Sequence, residues 1–316
     1  MNNPFPYSDD NKRDHTFNYH LRHTFDSKVF KVSLNAGFTC PNRDGTKGVG
    51  GCIFCSGKGS GDFAGNPAIS LREQFLQVSS MMSKKWPNAL YMPYFQAYTN
   101  TYAPLDVLKK CYEEVLTYEN VVGLSIATRP DCITEEIADY LADLNKRTYL
   151  VVELGLQSVH DETGKLINRC HTYEEFLTGY NMLKQRGIRI CVHLINGLPG
   201  ETREMMLESV RRTAQLKPAF IKLHLLHVLK NTRIEPMLAK GEFELLSQEE
   251  YVGIICDQLE LIHPETVMQR LTGDGEKESL VGPMWSLKKF CVLNDIDKEM
   301  LRRNSWQGKC FEEEKS

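Results

Sequence analysis

Three cysteines near the start of the chain have the residue type and spacing of a metal or cluster site. Cys52 and Cys55 form a C-x-x-C pair, and eleven residues separate Cys40 from Cys52. All three lie in the glycine-rich stretch AGFTCPNRDGTKGVGGCIFCSGKGSGDFAG, residues 36–65. Thiolates bind soft and borderline metals, and a C-x-x-C pair can bind one metal or cluster from a tight turn. The sequence therefore predicts metal-dependent chemistry in this segment.

Two kinds of site are compatible with this group. A structural zinc site needs four protein ligands in a closed tetrahedron, so it would require a fourth ligand such as His23. An iron-sulfur cluster bound by three thiolates leaves one iron without a protein ligand, where a substrate or co-substrate can coordinate. Seven further cysteines are scattered singly along the chain: Cys111, Cys132, Cys170, Cys191, Cys256, Cys291 and Cys310. We therefore expect no second cluster, although Cys170 lies near the predicted rim of the site.

The composition is that of a soluble globular protein, with 316 residues of which 41% are hydrophobic and 25% charged. The 38 basic and 41 acidic residues give a net charge of −3, so no global field attracts nucleic acid. No apolar run approaches the roughly 18 residues of a membrane helix, and the start MNNPFPYSDDNKRDH lacks the apolar stretch of a signal peptide. We expect a cytoplasmic protein with no membrane partner. In that reducing compartment, grouped cysteines indicate metal or redox chemistry rather than disulfides.

Six short apolar runs predict six β-strands, which would hold these residues in place. The runs begin at Lys28, Ala89, Val121, Thr148, Ile188 and Ala219. Segments with helical spacing lie between them, and two helix starts carry capping boxes, Thr172 with Glu175 and Ser247 with Glu250. Strands that alternate with helices indicate a parallel sheet covered by helices.

Polar residues inside the strands indicate that this sheet is curved around a lumen. Glu153, Gly155 and Gln157 share one face of their strand by the two-residue period, as do Lys222 and His224. A face packed under helices would tolerate such groups poorly, so we expect them to point into the lumen. Polar or glycine-rich stretches also follow all six strands, at the edge where α/β proteins place their active sites. The predicted fold is α/β, a partial (β/α)6 TIM-like barrel.

Extensions flank the predicted barrel at both ends. Residues 1–27 form an N-terminal extension, residues 28–263 the barrel, and residues 264–316 a C-terminal extension packed on it. The last of these contains a predicted strand within residues 265–275 and an amphipathic helix within residues 283–304.

Several segments of the chain resemble one enzyme superfamily. They are the cysteine motif with its ending IFC, FQAYTNTYAP, SIATRPDCI, ELGLQSVHDETGKLINRCHT, HLINGLPGET and QGK. Over residues 17–311 the chain resembles the radical S-adenosylmethionine superfamily. Within it, the chain is similar to the bacterial YtqA/YhcC-type subgroup, which resembles the radical domain of the elongator catalytic subunit. The commonest spacing in the superfamily has three residues between the first two cysteines, and the eleven found here match this subgroup.

The resemblance implies two cofactors. Cys40, Cys52 and Cys55 would bind a 4Fe-4S cluster, and S-adenosylmethionine would chelate its open iron and be cleaved to a deoxyadenosyl radical. The resemblance places cofactor contacts at Phe54, Ala97, Tyr98, Thr99, Arg129, Glu153, Gln157, Asn196 and Leu198. The usual glutamate is missing from residues 97–100, so main-chain carbonyls or Thr99 would bind the methionine amino group. Arg129 would bind the methionine carboxylate, with an ion pair to Asp131 or Glu135 as the alternative.

The resemblance also implies a substrate and partners. Lys222, His224 and His227 are candidates for facing the substrate. The expected reaction is tRNA wobble-uridine modification, from a carboxymethylaminomethyl to an aminomethyl-type side chain. The partners would be tRNA, a reductase or flavodoxin/ferredoxin electron donor, and a tRNA methylase acting downstream. Two alternatives stay open: a radical enzyme with a small-molecule substrate, and a zinc-binding module without catalytic activity.

Overall fold

A parallel sheet of seven strands forms the framework of the molecule. The structure is a computed structural model, and it describes residues 3–59 and 64–313. The strands in chain order are β1 (Val29–Leu34), β2 (Leu90–Phe95), β3 (Gly123–Thr128), β4 (Tyr149–Gln157), β5 (Arg189–Asn196), β6 (Phe220–Leu225), β7 (Val228–Leu229), β8 (Val267–Arg270) and β9 (Leu280–Gly282). The sheet has the order β1-β2-β3-β4-β5-β6-β8, while β7 and β9 form a separate antiparallel pair. The six predicted strands are confirmed, and the strand predicted within residues 265–275 is β8.

Helices connect the strands and cover the outer face of the sheet. They are α1 (Phe17–Phe25), α2 (Leu71–Lys85), α3 (Leu105–Leu116), α4 (Glu135–Arg147), α5 (Asp161–Leu166), α6 (Tyr173–Lys184), α7 (Arg203–Gln215), α8 (Glu235–Ala239), α9 (Gln248–Leu261) and α10 (Lys289–Arg302), with 3-10 turns at Pro130–Cys132 and Met284–Leu287. The helix predicted within residues 283–304 is therefore a 3-10 turn followed by α10. None of the helices described is both long and apolar enough to cross a bilayer.

Both predicted capping boxes are present. At the start of α6 the Thr172 hydroxyl accepts a hydrogen bond from the Glu175 amide at 3.1 Å, and the Glu175 carboxylate accepts one from the Thr172 amide at 2.7 Å. Ser247 and Glu250 make the same pair of bonds at α9, and a third box begins at Ser70. Each box satisfies two amides that have no partner within the helix, so the chain enters these helices at defined residues.

The two faces of the sheet differ in polarity. The core between sheet and helices contains fully buried apolar side chains from β3 and β4: Leu124, Ile126, Leu150, Val152 and Leu154. The alternate residues Ser125 and Glu153 are also fully buried, but they hydrogen-bond to each other on the opposite face. The two-residue period therefore separates an apolar outer face from a polar lumen, which confirms the curved sheet.

Residues at both ends of the chain close the gap between the first and last strands of the barrel. Thr16, just before α1, forms a parallel bridge with Met268 of β8, and α1 packs against both β1 and β8. Across the lumen, the Lys31 ammonium of β1 donates to the Gln269 side-chain oxygen of β8 at 3.2 Å. Near the end of the chain, the Gln307 amide accepts from the His15 backbone and donates to the Thr266 carbonyl. Both terminal segments thus contribute to one barrel, and the predicted boundaries at residues 27 and 263 stay predictions.

Candidate functional site

A cavity of about 270 Å³ extends from the rim of the barrel into its lumen. The thiols of Cys40, Cys52 and Cys55 border it on one side, and side chains of β6 and β8 border it on the other. The rim consists of the segments that follow the carboxyl ends of the strands, as expected for an α/β protein. The three predicted cluster ligands therefore border one cavity, and their binding of a cluster stays a prediction.

Tight turns present the three thiols. The Cys55 amide donates to the Cys52 carbonyl at 3.1 Å, which closes the C-x-x-C turn, and the Arg43 amide donates to the Cys40 carbonyl at 2.8 Å. A hydrogen bond with Cys55, burial and the nearby Cys40 raise the pKa of Cys52 well above its usual value. All three side chains border one cavity, and those of the C-x-x-C pair are hydrogen-bonded to each other.

The cysteine loop is held on two sides despite its many glycines. Its Ile53 amide donates to the Ile167 carbonyl beyond β4 at 3.0 Å, and its Ile53 carbonyl accepts from the Ile234 amide beyond β6 at 3.1 Å. The Asn168 side chain also donates to the Gly51 carbonyl at 2.7 Å. Gly51 has a φ of 75°, which only glycine adopts without strain, so a side chain here would disturb the turn before Cys52.

The donor set fits a polynuclear cluster better than a single zinc ion. All three thiols border the same cavity, whereas the other close group of possible ligands among the described residues, Glu153, Cys191 and His193, lies within β4 and β5. Three thiolates can each bind a different iron of one cluster, whereas a closed zinc site needs a fourth protein ligand.

The surroundings of the cysteine thiols agree with a cluster. The Asn42 amide nitrogen lies 3.7 Å from the Cys52 sulfur, in position to donate to it, and such bonds to ligand sulfurs tune cluster potentials. His23, the fourth zinc ligand considered above, lies instead on α1 and bonds to the Tyr19 carbonyl. Cys170 lies next to the loop at Gly48, but it is not among the side chains that line the cavity.

The segment after β2 packs against the cysteine loop. The Thr99 amide donates to the Thr39 carbonyl at 3.2 Å, and the Tyr98 hydroxyl donates to the Gly57 carbonyl at 2.6 Å. Tyr98 and Thr99 line the cavity, as does Phe54 of the loop, whereas the Ala97 side chain is buried beside them. These residues are therefore placed next to the thiols, and their contacts with S-adenosylmethionine stay a prediction.

Arg129 lines the cavity but is already paired. Its guanidinium donates twice to the Asp131 carboxylate, at 2.9 and 2.8 Å, and once each to the Arg169 and Cys170 carbonyls. Although burial opposes the effect, this arginine holds the pKa of Asp131 below its usual range. The ion pair considered as an alternative is thus present, so a methionine carboxylate would have to share Arg129 with Asp131.

Glu153 is the centre of an ionic network in the lumen. It is fully buried and accepts hydrogen bonds from Ser125 at 2.5 Å and His193 at 2.8 Å, as well as from the ammonium groups of Lys31 and Lys222. Burial alone would raise its pKa, but the two lysines and His193 hold it well below the usual value. Glu153 is therefore a carboxylate, and its lone pairs are largely used by protein donors.

The remaining predicted lumen residues also face the cavity. Gln157 adopts a φ of 65° at a register shift between β4 and β5, and its side chain lies over Gly155, where a Cβ atom would be 2.6 Å from the amide nitrogen. Lys222, His224 and His227 line the opposite wall. The Nε2 atoms of both histidines are buried and have no hydrogen-bond partner among the residues described.

Two predicted contact residues direct their side chains elsewhere. The Asn196 amide exchanges two hydrogen bonds of 2.8 Å with Gln258 of α9, on the outer face of the sheet. Leu198 is buried in a separate apolar cluster with Leu226 and Ile234. Strand alternation explains the difference, because Ile195 rather than Asn196 faces the lumen. The side chains of Asn196 and Leu198 therefore do not line the cavity, and cofactor contacts by the backbone of this turn stay a prediction.

Sequence reasoning missed several cavity residues. Tyr94 and His193 line the cavity, and Lys31 is bonded to Glu153. All three are polar residues within strands, so the two-residue period that found Glu153 could also have found them. Arg270 lines the cavity because a bulge shifts the register between β6 and β8, pairing Lys222 with Arg270 after Ile221 with Met268. No local sequence signal indicates such a bulge.

Comparison with known protein families agrees with this geometry. The family model for the Radical SAM superfamily matches residues 39–213, and the model for the Radical_SAM C-terminal domain matches residues 218–302. The first match contains the cysteine loop and β2 to β5, and the second contains β6, β8 and α10. Together they span every element that lines the cavity.

Individual relatives are similar over different shares of the chain. An uncharacterized protein, YtqA of Bacillus subtilis, is 55% identical over 99% of this chain and 97% of its own length. A tRNA uridine(34) acetyltransferase of Methanocaldococcus infernus is 31% identical over 42% of this chain and 25% of its own length.

One solved structure resembles the whole barrel. The archaeal Elp3 of M. infernus, with an N-terminal deletion, matches 89% of this chain with a TM-score of 0.65 and 19% identity, and this chain spans 64% of that one. At this identity the likeness supports the fold alone. The family matches and the close relative, together with three converging thiols at the rim of the barrel, establish that this chain belongs to the radical S-adenosylmethionine superfamily and uses a 4Fe-4S cluster and S-adenosylmethionine as cofactors.

Proposed function

We propose that this radical S-adenosylmethionine enzyme acts on the wobble uridine of tRNA, converting a carboxymethylaminomethyl side chain into an aminomethyl side chain. The observation that carries the proposal is the single cavity that joins the rim thiols to Lys222, His224 and Arg270 in the lumen. A flexible substituent on a base can enter such a cavity while the bulk of a tRNA stays outside. The partial similarity to an enzyme named for uridine 34 of tRNA supports the choice of nucleotide.

The residues around the cavity have distinct roles in this proposal. When bound, the cluster and S-adenosylmethionine supply an electron and a deoxyadenosyl radical, which can remove hydrogen from an unactivated carbon. Cys40, Cys52 and Cys55 hold the cluster, and Asn42 donates to the Cys52 sulfur. The walls exclude water from the reactive species.

The target bond explains why radical chemistry is needed. The methylene hydrogen next to the side-chain nitrogen is not acidic, so an ordinary base cannot remove it. In the proposed balance, the methylene loses a hydrogen atom and an electron, which together reduce S-adenosylmethionine to methionine and deoxyadenosine. This loss leaves a carbon–nitrogen double bond as a protonated imine. Water then hydrolyses the imine to the aminomethyl group and glyoxylate, and no further oxidant is required.

Cofactor contacts are proposed for the residues nearest the thiols. Phe54, Tyr98 and Thr99 line the cavity beside the cysteine loop, and Gln157 lies at the end of β4. We assign these side chains to S-adenosylmethionine, with Arg129 sharing its guanidinium between Asp131 and the methionine carboxylate. The Glu153 carboxylate is bonded to protein donors, so its proposed role is to hold the ammonium groups of Lys31 and Lys222 in position.

Two partners follow from the chemistry. Because the substrate supplies the electron of each turnover in this balance, a donor is needed for the first one-electron reduction of the cluster, and for it we propose a reductase or a flavodoxin or ferredoxin. An aminomethyl product is a primary amine, which a tRNA methylase can accept as its substrate. The assignment of both partners rests on the proposed reaction.

The deciding experiment compares tRNA nucleosides from a deletion strain and its parent. We expect the deletion strain to accumulate carboxymethylaminomethyl uridine at the wobble position and to lose the forms derived from aminomethyl uridine. Complementation with the wild-type gene should restore the parent profile, and a Cys55→Ala gene should not. An unchanged profile would refute the tRNA substrate and favour the small-molecule alternative.

A further inference from the structure

We propose that the lumen wall formed by Lys222, His224 and Arg270 binds the carboxylate of the substrate side chain. We call these three residues the β6–β8 wall. The inference rests on the proposed function, because it assigns a place to the carboxymethyl group. It adds a specificity site that is separate from the cysteines and from the cofactor contacts near the rim.

Backbone geometry brings the wall together. Lys222 of β6 and Arg270 of β8 are register partners because of the bulge between these strands, and both line the cavity. His224 follows Lys222 by two residues on the same face of β6. Lys222 lies three residues before the end of β6, which at about 3.3 Å per residue is roughly 10 Å below the rim. Lys222 and its register partner Arg270 are therefore deeper than the thiols, which lie on a rim loop, whereas His224 is one residue from the end of its strand.

The charges in and around the wall do not balance. The carboxylate of Glu153 is shared by two ammonium groups, those of Lys31 and Lys222. The carboxylate of Asp274 is likewise shared by two cations, with Arg270 at 3.1 Å and Lys289 at 2.7 Å. Each group of three carries one net positive charge. The side chains of the Glu153 group are largely buried, whereas those of the Asp274 group are each about one third exposed. An anionic ligand would compensate the excess of the buried group, since buried charges are stable only when they are paired.

Two further charged side chains line the cavity and offset each other in this count, so the excess remains. Glu276 lines the cavity and accepts a hydrogen bond from Ser279 at 2.9 Å. Glu276 makes no ion pair among the residues described, and the Ser279 hydroxyl that donates to it belongs to the same turn. Arg43 adds a positive charge to the lining of the cavity. Its guanidinium donates to the carbonyls of Cys55 and Ser56 rather than to a carboxylate.

Unpartnered polar atoms occur in the same region. The Nε2 atoms of His224 and His227 and the side-chain nitrogen of Gln269 are buried without a hydrogen-bond partner among the residues described. Such atoms are rare in folded proteins, because an unmade bond leaves the cost of desolvation uncompensated. Burial holds the pKa of both histidines below the usual value, so each is a neutral ring that can donate from one nitrogen. The two histidine rings line the cavity, so they can donate to a carboxylate there without adding further charge, whereas Gln269 is not among the lining residues.

The depth of the wall selects between possible anions. With S-adenosylmethionine bound beside the rim thiols as proposed above, its carboxylate would be held near Arg129 and would not reach the wall. A tRNA phosphate is an oxyanion of the same chemistry, but the polymer backbone cannot enter about 10 Å into a narrow lumen as an extended side chain can. A carboxymethyl group that is anchored at the wall would leave its methylene directed toward the rim, where hydrogen is removed.

Binding to the cluster-loaded enzyme tests this site directly. Two anticodon stem-loops would be compared that differ only in the wobble side chain, carboxymethylaminomethyl or aminomethyl. We expect the wild type to bind the carboxylate form about tenfold more tightly, as a charge-assisted hydrogen-bonded pair permits. Arg270→Gln should bring the two dissociation constants close together, and Arg270→Lys should keep part of the preference. Arg203→Gln, which removes an arginine outside the cavity, should leave it unchanged.

The outcomes separate this inference from the proposed function. A wild type that converts the stem-loop without preferring the carboxylate form contradicts the wall, as does Arg270→Gln with an intact preference. A wild type that prefers the carboxylate form but never converts it contradicts the proposed reaction alone. If Arg270→Gln weakens both stem-loops equally, the arginine contacts a phosphate and the proposal is overturned. Iron content and the unfolding midpoint show whether each variant is folded. If Arg270→Gln does not fold, the preference of Arg270→Lys for the carboxylate form is compared with that of the wild type instead.

Discussion

Cys55 has a function that none of the scattered cysteines can replace. We predict that Cys55→Ala abolishes both cluster assembly and S-adenosylmethionine cleavage, because two thiolates cannot hold the cluster in its open-iron form. The measurements are iron content after anaerobic reconstitution, about four per chain in the wild type, and deoxyadenosine release. Cys310→Ala is the matched control, since Cys310 is exposed and lies outside the cavity. Cleavage retained by the Cys55 variant would overturn the cysteine assignment.

The buried carboxylate of Glu153 is expected to contribute strongly to the stability of the folded protein. Its replacement by glutamine would leave the ammonium groups of Lys31 and Lys222 buried without a counter-charge. We predict that Glu153→Gln lowers the free energy of unfolding by about 3–5 kcal/mol, the usual cost of breaking a buried pair from one side. Urea unfolding at pH 7.5 measures the change. Glu113→Gln removes an exposed partner of Arg147 and should cost less than about 1 kcal/mol, so equal losses would contradict the argument.

At the level of elements, the N-terminal segment that closes the barrel contains an unusual acid. Asp14 is 4% exposed, and burial raises its pKa to about 7, with Asp297 and Asp10 adding to the effect and Lys12 opposing it. The unfolded chain releases this proton near pH 4 and the folded chain near pH 7. The contribution of Asp14 to stability therefore falls as pH rises through this window.

The Asp14→Asn variant isolates this contribution. We predict that the variant gains stability relative to the wild type as pH rises from 5 to 8, by about 1 kcal/mol or more, because the asparagine has no charge to bury. The quantity to measure is the difference between the two unfolding free energies at each pH, which cancels the titration of other groups. Lys47→Gln, on the surface beside α6, should show no such trend. A constant difference across the range would mean that Asp14 is ionised in the folded protein.

For the whole molecule, buried histidines predict sensitivity to acid. Burial lowers the pKa of six histidines, which are His15, His20, His171, His193, His224 and His227. The lowered pKa is about 4 for His20, His193 and His227. Each binds a proton near pH 6.5 when unfolded but resists protonation when folded. Their contribution is complete above pH 6.5 and is lost as pH falls toward 4.

We therefore predict that the free energy of unfolding falls by several kcal/mol between pH 7 and pH 5, at about 1–2 kcal/mol for each fully buried histidine. Chemical unfolding under anaerobic conditions at both values measures this loss. His193→Gln should reduce the pH dependence, whereas His23→Gln on the exposed face of α1 should not. Equal stability at pH 5 and pH 7 would contradict the prediction.

Much of this architecture could be read from local patterns. The strand runs, two capping boxes and the lumen positions of Glu153 and Lys222 depend on periods of a few residues, which the chain order itself displays. The same rule could have identified Lys31 and His193. The resemblance of the cysteine loop and its neighbouring segments to one superfamily was likewise a property of short motifs, and the family matches confirmed it.

The features that local patterns could not reveal all depend on residues far apart in sequence. Arg129 is paired with Asp131 and with carbonyls some 40 residues away, and Asn196 turns outward to Gln258, which is 62 residues distant. Arg270 enters the cavity only because β8 pairs with β6 through a bulge, and the barrel closes only because Thr16 meets Met268. The sequence by itself determined the three cysteines, the strands and the polar lumen, because residue type and period act locally. The tertiary structure alone decided which cations face the cavity and which are already paired, because pairing depends on how distant strands meet.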